Sequence, residues 1–398
     1  MNVSIKPSVA KGVLHAPPSK SAAHRLLVCA GLAAGESVVR GVADSEDMLA
    51  TMGCLRALGA QVGKIGDTVR IHGMTGEAPD VILPCRECGS TLRFFVPIAL
   101  LQNTPVTLTG SETLLSRPLS VYETICREQG LRFQRTDRSL TVCGKLRAGR
   151  FSVPGDISSQ FISGLLFALP LLAQDSEIVI APPVQSAPYI RMTLRALEAF
   201  GVTAQMRENR IRIPGAQRYR PRDAAVEGDW SNAAFFDALN YLGGDVRIDG
   251  LDADSLQGDK ICRQLFRALD AGTPTVDLSD CPDLGPVCMA LAAYKHGARF
   301  TGTRRLRIKE SDRASCMQRE LLKFGVRCVL DEDEMTVFAS PLQTPREPLC
   351  GWGDHRIVMA LSLLLTKTGG TIEGAEAVRK SFPDYFERMK SLGIEVQT

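Results

Sequence analysis

Two kinds of hydrophobic pattern alternate along the chain. Residues 161–169 and 358–365 are apolar on most faces, which predicts helices buried on all sides. Other segments are amphipathic and end at a glycine, which predicts half-exposed helices closed by a left-handed residue. Alternating segments at 68–73, 139–144 and 210–215 predict short strands with one buried face.

The glycines that end the amphipathic helices recur along the whole chain. They are Gly59, Gly130, Gly201, Gly272, Gly325 and Gly393. The first three intervals are 71 residues each, and the last two are 53 and 68 residues. A small or polar turn precedes each buried helix in step with these glycines. We therefore predict six copies of one mixed α/β unit, each with one buried and one half-exposed helix.

A polar stretch that contains proline, residues 218–223, divides the six copies into two groups of three. This pattern predicts two similar lobes, with residues 19–223 in one lobe and residues 224–398 in the other. Ligands commonly bind where two domains meet. We therefore expect the ligand site to lie in a cleft between the lobes.

Composition narrows the class of protein. The 398 residues are 44% hydrophobic and 23% charged, with a net charge of +3 and 6% aromatic residues, which indicates a soluble protein that binds no nucleic acid. The N-terminus has no apolar leader, and residues 161–173 are too few to span a bilayer, so we expect a cytoplasmic protein without a membrane contact. Its 12 cysteines are then reduced. Cys85 and Cys88 form a CxxC without a second pair, which does not predict a zinc site.

The first candidate for chemistry is the segment PPSKSAAHR at residues 17–25. Two prolines end an extended segment, two serines follow, and an apolar helix begins. The N-terminus of a helix favours anions, and Lys20 and Arg25 add positive charge there. The segment is either a capped core helix with solvated charges or the start of an anion site.

Basic residues recur at the starts of the other predicted helices. They include Arg93, Arg117, Lys309, Arg313, Arg356 and Lys380. A cation at a helix N-terminus opposes the helix dipole and costs about a few tenths of a kcal/mol. Their recurrence, with Ser and Thr hydroxyls beside them, favours an anionic ligand with several phosphate or carboxylate groups.

Single motifs stay ambiguous on their own. The motif KESDR at residues 309–313 has two interpretations. Either its acids are favourable first-turn residues of a helix, or Lys309 and Arg313 share one helical face toward the ligand and Glu310 carries a proton. His355 alone fits a hydrogen-bonded structural histidine, and Asp283 alone fits a helix cap.

Taken together, the motifs resemble the enolpyruvyl transferase family, and within it the members that act on shikimate 3-phosphate. In chain order they are PSKSAAHR at 18–25, GSTLR at 89–93, RP at 117–118, DISSQ at 156–160, SAPY at 186–189, PD at 282–283, KESDR at 309–313, DHR at 354–356 and KSFP at 380–383. The resemblance covers nearly the whole chain. It implies an α/β (α+β) fold of two lobes, each with three βαβαββ-type units of buried helices and outer sheets. It also implies that residues 1–18 join the lobe of residues 224–398.

The resemblance also implies which residues contact each substrate. Shikimate 3-phosphate would contact Lys20, Ser21, Arg25, Ser158, Ser159, Gln160, Ser186, Tyr189, Asp283, Arg305 and Lys309. Phosphoenolpyruvate would contact Lys20, Gly89, Arg117, Gln160, Arg313, His355, Arg356 and Lys380. Arginine suits this division because its planar fork binds phosphate and carboxylate in bidentate fashion.

The reaction implied is transfer of the enolpyruvyl group of phosphoenolpyruvate to the 5-hydroxyl of shikimate 3-phosphate, a step of aromatic amino-acid biosynthesis. The methylene carbon takes a proton, the hydroxyl attacks the neighbouring carbon, and the intermediate loses phosphate. Lys20, Asp283 and Glu310 are the candidate catalytic residues, and their individual roles stay open. We expect no metal, no organic cofactor and a monomeric protein.

Two positions depart from the family pattern. The family often has Asn-x-Gly-Thr where this chain has Glu87-Cys88-Gly89-Ser90, so Glu87 either faces outward or pairs with an arginine. Arg305 stands where an asparagine often contacts the shikimate phosphate, and an arginine can serve the same phosphate.

Three alternatives are weighed against this interpretation. A transferase acting on UDP-N-acetylglucosamine would carry a reactive cysteine in a glycine-rich loop, and no such stretch is found. A non-catalytic protein of the same fold would lose the cationic residues, which are present. An RNA-phosphate cyclase built on related units would need ATP and RNA.

Overall fold

The computed structural model describes residues 1–74 and 81–398. This chain divides into two compact units, which we call the N unit (residues 20–227) and the C unit (residues 1–19 with 228–398). Each unit encloses its own cluster of buried apolar side chains. Two cores suit a chain of this length, because single cores seldom grow beyond about 250–300 residues.

The described α-helices alternate between fully buried and amphipathic along the chain. They are α1 (Lys20–Leu32), α2 (Glu46–Ala57), α3 (Gly89–Ala99), α4 (Glu112–Ser116), α5 (Ser120–Gln129), α6 (Ser159–Ala168), α7 (Ala187–Ala199), α8 (Trp230–Tyr241), α9 (Cys262–Ala271), α10 (Gly285–Tyr294), α11 (Arg313–Lys323), α12 (His355–Thr368) and α13 (Tyr385–Ser391). Short 3₁₀ helices occupy Leu169–Leu171, Gly258–Ile261, Pro282–Leu284, Arg304–Ile308 and Ala375–Lys380.

The described strands are all short. They are β1 (Asn2–Ile5), β2 (Lys11–His15), β3 (Glu36–Arg40), β4 (Gln61–Ile65), β5 (Thr68–His72), β6 (Val81–Arg86), β7 (Val106–Gly110), β8 (Arg132–Arg135), β9 (Ser139–Cys143), β10 (Arg150–Pro154), β11 (Ser176–Ala181), β12 (Gln205–Arg207), β13 (Arg210–Ile213), β14 (Ala224–Ala225), β15 (Asp245–Asp249), β16 (Thr275–Asp277), β17 (Ala298–Thr301), β18 (Cys328–Leu330), β19 (Glu334–Val337), β20 (Leu349–Cys350), β21 (Gly370–Glu373) and β22 (Val396–Gln397).

Within the N unit, three four-stranded sheets share one strand order. The orders are β14-β3-β5-β4, β6-β7-β9-β8 and β10-β11-β13-β12. The first two strands of each sheet are parallel and the other neighbours are antiparallel. A parallel pair requires a crossover, which α3 provides between β6 and β7 and α6 provides between β10 and β11. The second and third sheets therefore each belong to one βαβαββ copy, whereas the first sheet takes its outer strand, β14, from the end of the unit.

The C unit repeats this order with one copy shortened. Its four-stranded sheets are β16-β17-β19-β18 and β20-β21-β1-β22, and β1 there takes the place of a hairpin strand. The remaining sheet is the parallel pair of β15 and β2. No described strand lies between α9 and β16, so this copy has no hairpin. The predicted α/β fold of repeated βαβαββ-type units with buried helices is thus confirmed, with this one exception.

The predicted buried helices begin where polar turns precede them. Asp354 caps α12 by accepting the Arg356 backbone N–H at 2.9 Å, and Ser158 caps α6 by accepting the Gln160 backbone N–H at 3.3 Å. Most residues of α3, α6, α10 and α12 are buried. The polar ends of these helices are therefore the positions where side chains can leave the core.

The glycine prediction holds at five of six positions. Gly59, Gly130, Gly201, Gly325 and Gly393 have φ between +67° and +93°. The prediction is wrong at Gly272, whose φ of 172° is ordinary extended backbone. The cause is the missing hairpin, because the chain leaves α9 and runs directly into β16 of the next copy. The same loss accounts for the short interval of 53 residues that follows Gly272.

Among residues 1–74 and 81–398, no helix combines the length and the apolar character that crossing a membrane requires.

Candidate active site

The predicted site residues lie at helix ends and adjoining turns, in two groups that we define here. The N group consists of Lys20, Arg25, Asp47, Gly89, Arg93, Arg117 and Gln160, all in the N unit. The C group consists of Asp283, Lys309, Glu310, Arg313, Asp354 and Arg356, all in the C unit. Each group is described within its own unit.

Lys20 is the first residue of α1 and forms a shielded ion pair. Its Nζ lies 2.8 Å from Oδ2 of Asp47, in the first turn of α2, and the two side chains are 15% and 11% exposed. A carboxylate fixes the ammonium at the N-terminus of α1, where the helix dipole alone would repel it. Lys20 is thus held in place and stays partly open to solvent.

Arginines converge on Gly89, the first residue of α3. A β-carbon at Gly89 would lie 2.9 Å from Nη1 of Arg117 and 3.2 Å from Nη1 of Arg93, so glycine permits this close approach. Arg93 Nη1 donates to Gln160 Oε1 at 2.7 Å, and Gln160 Nε2 donates to Ser90 Oγ at 2.9 Å. Two guanidinium groups and an amide therefore meet at the N-terminus of a helix, a suitable place for an anion.

Arg117 has an unsatisfied donor in this cluster. Its side chain is mostly buried, and within the part of the chain that the structure describes its Nε–H has no hydrogen-bond partner. A buried donor without a partner costs about 1–3 kcal/mol. A bound anion would supply the missing acceptor.

Arg25 is buried in the same unit and points between α1 and α7. Its Nε donates to Thr193 Oγ1 at 2.9 Å, and its terminal nitrogens donate to the backbone oxygens of Ser21 and Tyr189 at 2.7 and 3.0 Å. Burial lowers its pKa to about 10, which leaves it charged at neutral pH. The predicted residues Ser21 and Tyr189 are therefore adjacent to this cation.

The predicted serines sit at the starts of two helices. Ser158 caps α6, Ser159 is its buried first residue, and Ser186 precedes α7. Ser186 is buried and has a φ of +56°, a left-handed conformation that a side chain disfavours. Backbone strain of this kind concentrates at binding sites.

In the C group, three cations surround the carboxylate of Asp283. Oδ1 of Asp283 lies 2.8 Å from Arg313 Nη1 and 3.6 Å from Lys309 Nζ, and Oδ2 lies 2.9 Å from Arg356 Nη2. Burial raises the pKa of Asp283, but Arg356, Lys309 and Arg313 together outweigh it and hold that pKa well below its usual range. Asp283 is therefore ionised. It lies inside a 3₁₀ helix without a side-chain capping bond, so the capping alternative is wrong.

Arg313 joins three carboxylates. Its side chain is 1% exposed and donates to Asp354 from Nε at 2.8 Å, to Asp283 from Nη1 and to Glu310 from Nη2 at 2.5 Å. A further bond from Nη2 to Asp354 engages four of the five guanidinium donors. Burial lowers the pKa of Arg313, yet the three carboxylates raise it well above its usual value.

The predicted shared helical face of Lys309 and Arg313 is wrong. Helix α11 begins at Arg313 after the capping residue Asp312, and Lys309 lies before it at the end of a 3₁₀ helix. The two side chains nevertheless meet at Asp283. The Asp312 carboxylate accepts the backbone N–H of Ser315 at 3.1 Å, which fixes the start of the helix there.

Lys309 has an unusual protonation equilibrium. Burial lowers its pKa to about 8, with Asp283 opposing this shift and the nearby cations Arg305 and Arg313 adding to it. Arg305 is buried and donates to the backbone oxygen of Ser279 at 3.3 Å. The positive charges of Lys309, Arg305 and Arg313 repel one another, so a bound anion would be stabilised beside them.

The last predicted residues lie at the ends of C-unit helices. His355 is the buried first residue of α12, beside Arg356. Lys380 ends a 3₁₀ helix, and its Nζ donates to the backbone oxygen of Gly353 at 2.7 Å. Both therefore lie near the start of α12. Glu87, in the N unit, is exposed, which agrees with the outward-facing alternative.

Sequence reasoning missed two carboxylates that organise the groups. Asp47 looks like an ordinary acid in the first turn of a helix, and its role appears only through the contact with Lys20. Asp354 was present in a motif without an assigned role, yet it both caps α12 and binds Arg313. The one available signal was the acid placed directly before His355 and Arg356.

Comparisons with known proteins agree on one family. Residues 5–389 match EPSP synthase (3-phosphoshikimate 1-carboxyvinyltransferase). Proteins named 3-phosphoshikimate 1-carboxyvinyltransferase from Clostridium kluyveri and Brachyspira hyodysenteriae are 39% and 35% identical, with coverage of 99% and 100% of this chain and 98% and 100% of theirs. EPSP synthase from Acinetobacter baumannii has a TM-score of 0.81 at 23% identity, over 100% of both chains. The enolpyruvyl transferase NikO from Streptomyces tendae has a TM-score of 0.79 at 14% identity, over 100% of this chain and 98% of its own.

Proposed function

The chain belongs to the EPSP synthase (3-phosphoshikimate 1-carboxyvinyltransferase) family, and we propose that the N group and the C group together carry out its reaction. That reaction transfers the enolpyruvyl group of phosphoenolpyruvate to the 5-hydroxyl of shikimate 3-phosphate and releases phosphate, within aromatic amino-acid biosynthesis. Both groups act on the same pair of substrates in this proposal.

Phosphoenolpyruvate binds, in this proposal, to a set that includes the arginine cluster at Gly89. The observation that carries the assignment is Arg117, which lies against the first residue of α3 with its buried Nε–H unpartnered among the described residues. A carboxylate or phosphate there would satisfy that donor and the helix N-terminus together. The assigned contacts are Lys20, Gly89, Arg117, Gln160, Arg313, His355, Arg356 and Lys380.

Shikimate 3-phosphate binds near the hydroxyl-bearing helix starts and the cations beside them. The strained backbone of Ser186 and the buried cation Arg25 support this assignment in the N unit. In the C unit, the crowding of Lys309 by Arg305 supports a place for a negative charge. The assigned contacts are Lys20, Ser21, Arg25, Ser158, Ser159, Gln160, Ser186, Tyr189, Asp283, Arg305 and Lys309.

In this proposal, Lys20, Asp283 and Glu310 carry out the proton transfers. Asp283 is ionised and can therefore accept the proton from the 5-hydroxyl as the hydroxyl oxygen attacks the carbon that bears the phosphate, but its three cationic partners make it a weaker base. A second proton goes to the methylene carbon and is removed again when phosphate leaves, which regenerates the double bond. Lys20 and Glu310 are the two candidates for this second role.

A phosphate-release assay tests the substrate assignment. Purified protein receives phosphoenolpyruvate with either shikimate 3-phosphate or UDP-N-acetylglucosamine, and the phosphate released is measured. We expect release only with shikimate 3-phosphate. Release with the sugar nucleotide alone, or with neither acceptor, would contradict the proposal.

One copy of the chain supplies every residue assigned above, and the proposal therefore includes a monomeric enzyme. Sedimentation at the concentrations used in the assay should give the mass of a single chain. Activity that falls on dilution faster than the protein concentration would contradict a monomer.

A further inference from the structure

Three side chains with metal-binding atoms meet in the N unit, and one of them, Asp47, belongs to the N group. One atom from each of His24, Asp47 and Cys88 lies within 4.8 Å of the other two, and all three residues are buried. They come from α1, from α2 and from the residue that caps α3. Separate elements thus bring a nitrogen, an oxygen and a sulfur together.

The imidazole of His24 is held in an orientation that suits a ligand. Its Nδ1 lies 2.7 Å from Thr51 Oγ1, which lies 2.8 Å from Thr91 Oγ1, and its Nε2 lies 3.7 Å from Cys88 Sγ. A neutral ring that donates from Nδ1 to Thr51 presents its Nε2 lone pair to Cys88. Metal-bound histidines commonly donate their second ring N–H to a neighbouring acceptor in this way.

We propose that His24, Asp47 and Cys88 form an inhibitory site for Zn²⁺, with water as the fourth ligand. In a tetrahedral zinc site, sulfur and nitrogen ligands are about 3.5 Å apart. The Cys88 and His24 atoms are already 3.7 Å apart, and the Asp47 oxygen lies within 4.8 Å of both. Small movements of side chains therefore close the site around the ion.

Binding at this site changes the environment of Lys20. The Cys88 S–H bond breaks, a zinc–sulfur bond forms, and one proton is released to solvent without any redox change. The ion takes Asp47, the carboxylate that otherwise pairs with Lys20 at 2.8 Å. A dication then stands where the partner of Lys20 stood, and Lys20 is displaced from its position.

Direct metal binding tests the site independently of any substrate. Co²⁺ serves as the optical probe because cobalt bound to a thiolate gives a charge-transfer absorption, and Zn²⁺ is then added to displace it. We compare the wild-type protein with Cys88→Ser, which retains a capping oxygen for α3, and with Cys143→Ser, a half-buried cysteine elsewhere in the unit. A second variant, His24→Gln, keeps a polar group near Thr51 and removes the nitrogen ligand.

Wild type and Cys143→Ser should show the thiolate band, and Zn²⁺ should abolish it. Cys88→Ser should lose the band, and both Cys88→Ser and His24→Gln should weaken Zn²⁺ binding by more than about 100-fold, since losing even a supporting residue costs about 10–100-fold. A wild-type protein without the band, or a band that persists in Cys88→Ser, would overturn the site.

Inhibition is measured separately and rests on the proposed function. With phosphoenolpyruvate and shikimate 3-phosphate, Zn²⁺ should suppress wild-type turnover, a chelator should restore it, and Cys88→Ser should resist Zn²⁺ relative to its own untreated rate. Zinc bound through Cys88 with unchanged turnover would overturn the inhibitory role. Absence of turnover in the untreated enzyme would count against the proposed function and leave the binding result intact.

Discussion

The N group and the C group balance their charges in different ways. In the N group, Arg25 and Arg93 donate to hydroxyl, amide and backbone oxygens, while Lys20 pairs with Asp47. In the C group, the cations Lys309, Arg313 and Arg356 contact Asp283, and Arg313 also binds Glu310 and Asp354. The N group has four cations to one carboxylate, and the C group has three of each.

In the proposed function, this difference corresponds to two kinds of contribution from the groups. Cations bonded to neutral oxygens keep their positive potential, so the N group is prepared to receive an anion. Cations already paired with carboxylates keep those acids ionised and fixed in position. Arginine binds three carboxylates at Arg313, and in the proposed function it contacts an anion at Arg117.

The largest effect is expected at Lys20, the cation that the substrate assignments share. Lys20→Met removes the charge from the start of α1 and leaves Asp47 without its partner. We expect kcat/KM to fall about a thousandfold or more, since loss of one electrostatic or proton-transfer group costs about 10²–10⁴-fold. Steady-state kinetics with both substrates measures this change.

Lys145→Met is the matched control, because Lys145 is an exposed lysine of the same unit. It should retain the wild-type rate. If Lys20→Met also retained that rate, Lys20 would be removed from the site and the N group would lose its central member.

Stability provides the next sharpest contrast between the groups. Arg313→Leu leaves three carboxylates together without the guanidinium that binds them, and breaking a buried ion pair costs about 3–5 kcal/mol. Arg117→Leu removes a donor that lacks a partner among the described residues, so the free energy of unfolding should change by less than about 1 kcal/mol.

Urea unfolding of the two variants, followed by circular dichroism, gives both free energies of unfolding. The activity of Arg117→Leu should be lost although its stability is kept. Equal destabilisation by the two substitutions would remove the distinction between an anion contact and a structural ion cluster.

The elements and the chemistry of the site could be predicted from sequence to different extents. Helix starts and ends were predictable because caps and glycines act locally, as at Asp354 before α12 and Gly130 after α5. Gly272 failed because its conformation depends on whether a hairpin follows, which the local sequence does not encode. Residue types at the site were predictable by resemblance, but the partners Asp47 and Asp354 were not, because those contacts form only when separate helices pack together.

Asp283→Asn tests whether the C group takes part in proton transfer. Asparagine is similar in size and keeps one of the two oxygens that accept from Arg313 and Arg356, but its amide nitrogen is a donor and it cannot take a proton from the substrate hydroxyl. We expect kcat to fall about a hundredfold with the fold retained, as judged by circular dichroism and melting temperature. Asp312→Asn, which keeps a capping oxygen for α11, is the control and should retain both stability and kcat.

If the Asp283→Asn protein were unfolded, Asp283 would be required for folding. A folded protein with normal kcat would assign the hydroxyl proton to another group.

The smallest expected effect is the pH dependence that Lys309 gives to shikimate 3-phosphate binding. With a pKa of about 8, Lys309 loses its charge as pH rises above that value, and its attraction for the phosphate is lost with it. KM for shikimate 3-phosphate should therefore rise by up to about tenfold per pH unit above pH 8, because the charged fraction falls by that factor. Lys309→Arg stays charged and should remove this part of the rise.

The free energy of unfolding should rise over the same pH range in which substrate binding weakens. Between pH 8 and 10.5 the unfolded chain keeps a proton on Lys309 that the folded chain has lost, so the free energy of unfolding rises with pH. Lys309→Arg should lack this gain, because arginine stays protonated in both states. A KM profile shared by wild type and Lys309→Arg would mean that Lys309 carries no charge contact to shikimate 3-phosphate.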